Sequence, residues 1–267
     1  MSVATAFLKR DFSVALSYRL GFMLEILGIF FGVASFYFLS RLFGNALVPQ
    51  LEQYGGDYFS FVLIGLAFNS YLGLSISSFA ESIRDGQITG TLEIMLLSPT
   101  RLSAILLSSS LWDYLLTTIN VVVYLLFGGL VFGFSISQAN FLTAVVVLIL
   151  SIAAFSGIGI LSAAIVLVVK RGDPIAWVFS GVSTLLAGVY YPISVLPDWL
   201  TPLSHLLPMT YSLDAMRLAM LRGYSVFEVR NDILILLGFA LVLTPLAFIV
   251  FRKALKRAKK EGSLIQY

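Results

Sequence analysis

Apolar residues fall in long runs along the chain, broken by short polar segments, and six of these runs approach the roughly 20 residues that cross about 30 Å of hydrocarbon. They are Leu20 to Leu39, Tyr58 to Phe79, Ile105 to Phe127, Phe141 to Val169, Pro174 to Ile193 and Ile233 to Phe251. Hydrocarbon offers backbone amides no partner, so each run is predicted to be a helix. The third and fourth are long enough to tilt or break. The expected fold is therefore an all-α membrane protein of six transmembrane helices. Ahead of the first run, Met1 to Tyr18 mixes Phe7, Leu8, Phe12 and Leu16 with polar residues, which suits an amphipathic interfacial helix. The first run holds Glu25 and follows Lys9, Arg10, Asp11 and Arg19, so it is expected to stay rather than be cleaved as a signal peptide.

Six spans place both termini on one side, and basic flanks choose the side. Thirteen Lys and Arg flank one set of span ends, including Lys9, Arg10, Arg84, Arg101, Lys170, Arg171 and the run Arg252 to Lys260; four, Arg41, Arg217, Arg222 and Arg230, flank the other. Both termini are expected in the cytoplasm, and the Arg252 to Lys260 segment also suits an anionic leaflet. The chain reads as one domain: residues 1–18 as the interfacial helix, 20–252 as the bundle and 253–267 as a basic tail.

Composition narrows the chemistry. Of 267 residues 59% are apolar and 12% charged, and the mean hydropathy is +0.96, so a soluble enzyme and a disordered chain are both excluded. There is no Cys and one His, His205, which leaves little for thiolate, zinc or triad chemistry. The net charge of +3 sits mainly in the C-terminal tail, so nucleic acid is discounted as a partner. None of the six Lys follows a Gly, so the chain has no phosphate-cradling Walker A loop. Energy must come from another polypeptide or an ion gradient.

Two segments do not look like generic loops. Between the second and third runs, Asp85-Gly86 reads as a turn leading into a short helix that Ser98-Pro99 ends. Its Leu92, Met95 and Leu96 share an apolar face, with Glu93 and Thr91 elsewhere. That face either packs on its own bundle or docks into a partner. Between the fifth and sixth runs, Pro192, Pro197, Pro202 and Pro208 recur among Tyr190, Tyr191, Trp199 and Tyr211, a pattern suited to short helices that dip into the outer leaflet and return. Ser212 to Leu221 reads as a helix on which Asp214 and Arg217 can pair.

Polar residues within the runs are candidate path or packing groups. Ser110, Asp113, Thr117, Asn120 and Tyr124 share one helix face, with Asp113 about 12 Å into the bilayer when the helix is counted from Ile105. Glu25 lies nearer the inner end of the first run. Asn69, Ser70 and Ser75 in the second run, and Ser180, Ser183 and Thr184 in the fifth, suit interhelical hydrogen bonds. Ala153 with Gly157, and Gly159 with Ala163, suit close helix contact in the fourth.

Gly90-Thr91-Leu92-Glu93 followed by Leu96-Leu97-Ser98-Pro99, together with Pro192 to Leu200 and Leu207-Pro208-Met209-Thr210 through Arg217, resembles type-2 ABC exporter permeases over the whole chain. The resemblance implies a permease, not an enzyme, that forms a homodimer or close heterodimer and binds two copies of a cytoplasmic ABC ATPase. ATP and Mg would sit on that partner, with no cofactor or metal on this chain. The segment Gly90, Thr91, Leu92, Glu93, Met95, Leu96, Leu97, Ser98 and Pro99 would be the coupling helix, although Asp85-Gly86-Gln87 offers a second start. Spans one, two and five would line the substrate path, where Glu25, Asn69, Asp113, Asn120, Ser183 and Tyr191 are candidates. Pro192, Pro197, Trp199, Pro208 and Arg217 would belong to the re-entrant outer segment. The cargo would be an amphiphilic, lipid-linked or drug-like molecule, with glycolipid or polysaccharide also open, exported across a bacterial or archaeal cytoplasmic membrane. Two other classes stand beside this one: an ion-driven carrier or channel using Asp113, and an intramembrane enzyme limited to Glu25 or Asp113 chemistry.

Overall fold

The computed structural model describes residues 3–17, 19–42, 49–97, 102–169 and 173–260. Helix α1 (Val3–Ser17) leads into α2 (Arg19–Leu42), and a 3-10 turn at Pro49–Tyr54 precedes α3 (Tyr58–Ile88). Next come α4 (Thr91–Leu97), α5 (Leu102–Ser109), α6 (Leu111–Leu130) and α7 (Phe141–Val169). The chain finishes with α8 (Pro174–Leu186), α9 (Thr201–Ser204), α10 (Pro208–Arg222) and α11 (Arg230–Lys260). No strand occurs among the described residues.

Five of these helices are long and apolar enough to cross a bilayer: α2, α3, the stretch Leu107–Leu130, α7 and α11. The run predicted as the fifth of six spans does not form one long helix. Its helix α8 stops after 13 residues, about 20 Å at 1.5 Å per residue, because Gly188 turns the chain at φ +79°. That is a conformation which costs glycine nothing and other residues a Cβ clash. The predicted third run is likewise interrupted, at Ser110, into α5 and α6.

Helix α7 occupies the centre, packed between α3 and α11, and α10 caps the three at one end. Lipid tails are as apolar as leucine, so helices in a bilayer associate through close packing and hydrogen bonds rather than the hydrophobic effect. The small residues expected to allow this do so. A Cβ on Gly159 would lie 2.0 Å from the carbonyl oxygen of Ser75 in α3, and one on Gly157 would lie 2.8 Å from Leu243 Cβ in α11. Hydrogen bonds add to the contact. Tyr114 of α6 donates to Ser75 at 2.9 Å, Tyr71 of α3 donates to Thr118 at 2.9 Å, and Ser151 of α7 donates to Ser212 of α10 at 2.8 Å.

Local signals set the helix ends. Asp57 caps α3, accepting from the Ser60 amide at 2.9 Å, and Asp173 caps α8, accepting from the Ala176 amide at 2.9 Å ahead of Pro174. Helix α10 opens on Pro208 and closes on Gly223 at φ +71°. Helix α11 runs unbroken through the basic segment to Lys260, so residues 253–260 are its last turns rather than a separate tail, and Phe251 and Ala258 are buried there. Helix α3 is about 45 Å long. Its first turns touch α10, and its last turns touch α4, share a cavity with α1 and share an apolar cluster with the C-terminal turns of α11. The two ends of the bundle are thereby defined.

Candidate functional site

The α3–α4 reversal forms one end. Asp85 and Gly86, predicted as the turn, continue α3; the chain reverses at Thr89-Gly90, where Gly90 has φ +69°. Thr89 fixes the corner by donating its amide and its hydroxyl to the Asp85 carbonyl, at 2.9 and 2.7 Å. Of the two starts the sequence offered, the chain turns at the later one, and α4 folds back on α3 from Gly90. Leu92 is 3% exposed and joins the apolar cluster of Phe79, Ala80 and Ile83, resting over Gly86, where a Cβ would come within 3.2 Å of its own. Leu92 is therefore covered by the chain itself, as the packing alternative has it for that residue. The uncovered edge is instead Ile94, 70% exposed, and Leu97, 77% exposed, with Ile88 beside them. Met95 is half-buried and Thr91 exposed. The side chains of Glu93 and Leu96, and all of Ser98 and Pro99, lie outside the described residues.

Asp113 also belongs to this end. It sits in the first turn of α6 and lines a cavity of about 590 Å³ together with Arg10 and Asp11 of α1, Glu81 and Asp85 of α3 and Met95 of α4. The helix is broken at Ser110, and Asp113 shares this cavity with charged residues of α1 and α3. The predicted polar face of α6 is used in part. Asn120 donates to the Glu25 carboxylate at 2.7 Å, joining two residues 95 positions apart, while the Asn120 Oδ1 atom has no partner. Asn69 Oδ1 and Ser183 Oγ are also buried without hydrogen bonds. The contacts of Tyr71, Tyr114, Thr118 and Ser156 come from a neighbouring stripe that sequence reading passed over.

A second cavity, of about 860 Å³, opens between α3, α7 and α8. Gly73, Ser77, Val166, Val178 and Gly181 line it, with Trp177 and Glu81 toward one end. The α8 face beside it is apolar and exposed at Trp177, Val178, Val182 and Leu185.

At the opposite end the breaker-rich segment folds into short turns and α9 and α10. Pro192 begins a 3-10 turn, and the Pro197 carbonyl accepts from the Leu200 amide at 2.8 Å, starting the next turn. Trp199 is exposed, Pro208 is buried at the start of α10, and Tyr191 donates its hydroxyl to the Leu185 carbonyl. Asp214 and Arg217, expected to pair, do not. Arg217 is 2% exposed and spends its fork on carbonyls, donating to Phe61 at 3.1 Å, Gly188 at 2.9 Å and Val189 at 2.9 Å. Asp214 accepts from the Tyr54 hydroxyl. Burial, reinforced by the Asp214 carboxylate, pushes the Tyr54 phenol above its ordinary range. Gly65 of α3 makes room for this cluster, since a Cβ there would lie 2.3 Å from the Val189 carbonyl oxygen. His205 gathers no metal ligands: among the described residues no three His, Asp or Glu converge.

A long-helix bundle with a helical corner exposing two apolar residues at one end, and a turn-rich cap fastened by a buried arginine at the other, agrees with one comparison. The model of the family described as ABC-2 type transporter matches residues 5–221. No curated protein matches the chain. With most of its length matched, α10 included, the chain belongs to the ABC-2 type transporter family as a multi-pass membrane permease subunit.

Proposed function

We propose that this permease is the membrane half of an ATP-driven exporter whose motor is a separate cytoplasmic ATPase. The observation that carries the reading is the α4 edge, where Ile94 and Leu97 stand uncovered at the end of the bundle that also holds α1 and the basic turns of α11. Uncovered apolar residues on a short corner ask for a partner, and the chain lacks a Walker A loop to bind ATP itself. Basic flanks favour the cytoplasm for that end and for both termini.

In this reading two permeases, identical or closely related, face each other, and each receives one ATPase carrying ATP and Mg. Nucleotide-driven closure pushes on α4, and Leu92 passes the movement to α3 through its seat on Gly86. The cavity between α3 and α8 then changes its access. Its mostly apolar walls suit an amphiphilic, lipid-linked or drug-like cargo. The α9 and α10 cap closes the outer end, and α1 lies along the inner interface. Asp113 shares its cavity with Arg10, Asp11, Glu81 and Asp85, a charged setting that supports this reading over an ion-driven carrier.

Vesicles holding the permease and its ATPase test it. ATP should drive uptake of a fluorescent amphiphile into vesicles whose α4 end faces outward, and Ile94→Asp with Leu97→Asp should abolish it. Uptake that follows a proton gradient without ATP would overturn the reading.

A further inference from the structure

Among the described residues, the cavity beside α4 is lined by more carboxylates than cations. Four carboxylates line it: Asp11, Glu81, Asp85 and Asp113. Arg10 is its one lining cation among the described residues, and its Nε–H already serves Asp11 at 2.7 Å. Arg84 lines the larger cavity on the other side of Glu81. Among the described residues one cation therefore lines this space against four carboxylates. Glu81 and Asp85 stand one helical turn apart on α3, where like charges repel.

A second observation comes from the wall. Ser78 is 2% exposed, lines the same cavity one turn before Glu81, and its Oγ atom has no hydrogen-bond partner. A buried hydroxyl without a partner is unfavourable, and this one lines the same cavity as the four carboxylates. The carboxylates do not converge as metal ligands, and about 590 Å³ is far more than one ion needs. A long side chain with a charged tip fits better. The cavity also reaches α4 itself, since Thr91 and Met95 line it beside Ile88.

We propose that this cavity receives a lysine or arginine side chain of the ATPase that docks on α4. The inference rests on the functional reading above and adds the chemistry of recognition. Ile94 and Leu97 supply the apolar contact, while Glu81, Asp85 and Asp113 supply a charged socket that selects a partner with a basic residue at that place.

The test uses the ATPase that supports transport in the vesicle assay, with the permease held in nanodiscs and binding measured across a salt series. Glu81 and Asp85 are exposed, so Glu81→Gln with Asp85→Asn should leave the melting temperature intact. That variant should weaken binding by about ten-fold or more at low salt and flatten the salt dependence. Ile94→Ala with Leu97→Ala should weaken binding with the salt dependence kept. The loss in Asp85→Lys should be recovered by changing one Lys or Arg of the ATPase to Glu, with Asp113→Asn as an independent neutral variant. Unchanged affinity and salt dependence in both neutral variants would overturn the socket while leaving the α4 edge standing. An ATPase that never binds the wild-type permease would overturn both.

Discussion

The Arg217 guanidinium lies 3.4 Å above the centre of the Phe61 ring while its Nε–H bonds the carbonyl of the same residue. One side chain thus ties α10 to the first turn of α3 through a cation–π contact and a hydrogen bond, and its remaining nitrogens hold the Gly188 turn. Arg217→Ala would strand three buried carbonyls and should cost about 3 kcal/mol or more. Arg217→Lys keeps the charge but loses the planar fork, and should recover only part of that. Thermal unfolding in detergent reads both. Wild-type stability in Arg217→Ala would remove the arginine's role as the fastening of the cap.

Gly159 tests whether close approach holds the centre together. A Cβ there meets backbone, the Ser75 carbonyl oxygen, which cannot rotate away. Gly159→Ala should therefore push α7 off α3 and cost about 2–3 kcal/mol. Gly181→Ala, in open space, is the control and should unfold with the wild type.

The two apolar sides of α4 should separate in the same assay. Leu92→Ala removes a buried side chain and should destabilise the permease by about 2 kcal/mol or more. Ile94→Ala and Leu97→Ala, on the uncovered edge, should stay within about 0.5 kcal/mol of wild type. The reverse order would mean that α4 packs the other way round.

Tyr54 gives a pH signature. Its folded-state ionisation is raised by burial and by Asp214, so the unfolded chain loses the phenolic proton first. The resulting stability is complete below the ordinary tyrosine value of about 10 and declines as pH climbs beyond it. Unfolding midpoints should fall from pH 9 to 11 more steeply in the wild type than in Tyr54→Phe. Parallel slopes would contradict the burial of this phenol.

The helices were legible because apolar runs in a membrane chain have one backbone solution; the run from Phe141 to Val169 is α7 to the residue. What stayed hidden were ends decided by distant contacts. Apolar residues continue past Leu186, so the run looks like a full span, yet the helix stops where Gly188 turns and Arg217, 29 positions away, takes its carbonyl. The run from Ile105 is continuous in composition, and its break at Ser110 shows only in the structure. The α4 motif was legible, but the burial of Leu92 was only one of two alternatives. A seven-residue helix shows apolar residues on several sides, and the covered one depends on where α3 stops. Glu81 and Asp85 stand one turn apart in the sequence, but the cavity they share with Asp11 and Asp113 appears only when α1 and α6 pack beside them.

The chain contains no cysteine, so one introduced thiol reports cleanly on the central claim that the α4 edge is the inner docking point. Leu97→Cys and Phe227→Cys, the latter 82% exposed at the opposite end, should be treated in intact cells with a membrane-impermeant maleimide, then offered a short bifunctional crosslinker after lysis. The account predicts that only the thiol at position 227 is labelled from outside, and that only the thiol at position 97 crosslinks to an ATPase whose nucleotide hydrolysis then stalls. Labelling of position 97 in intact cells, or a position 97 thiol that never reaches an ATPase in a transport-competent complex, would contradict it.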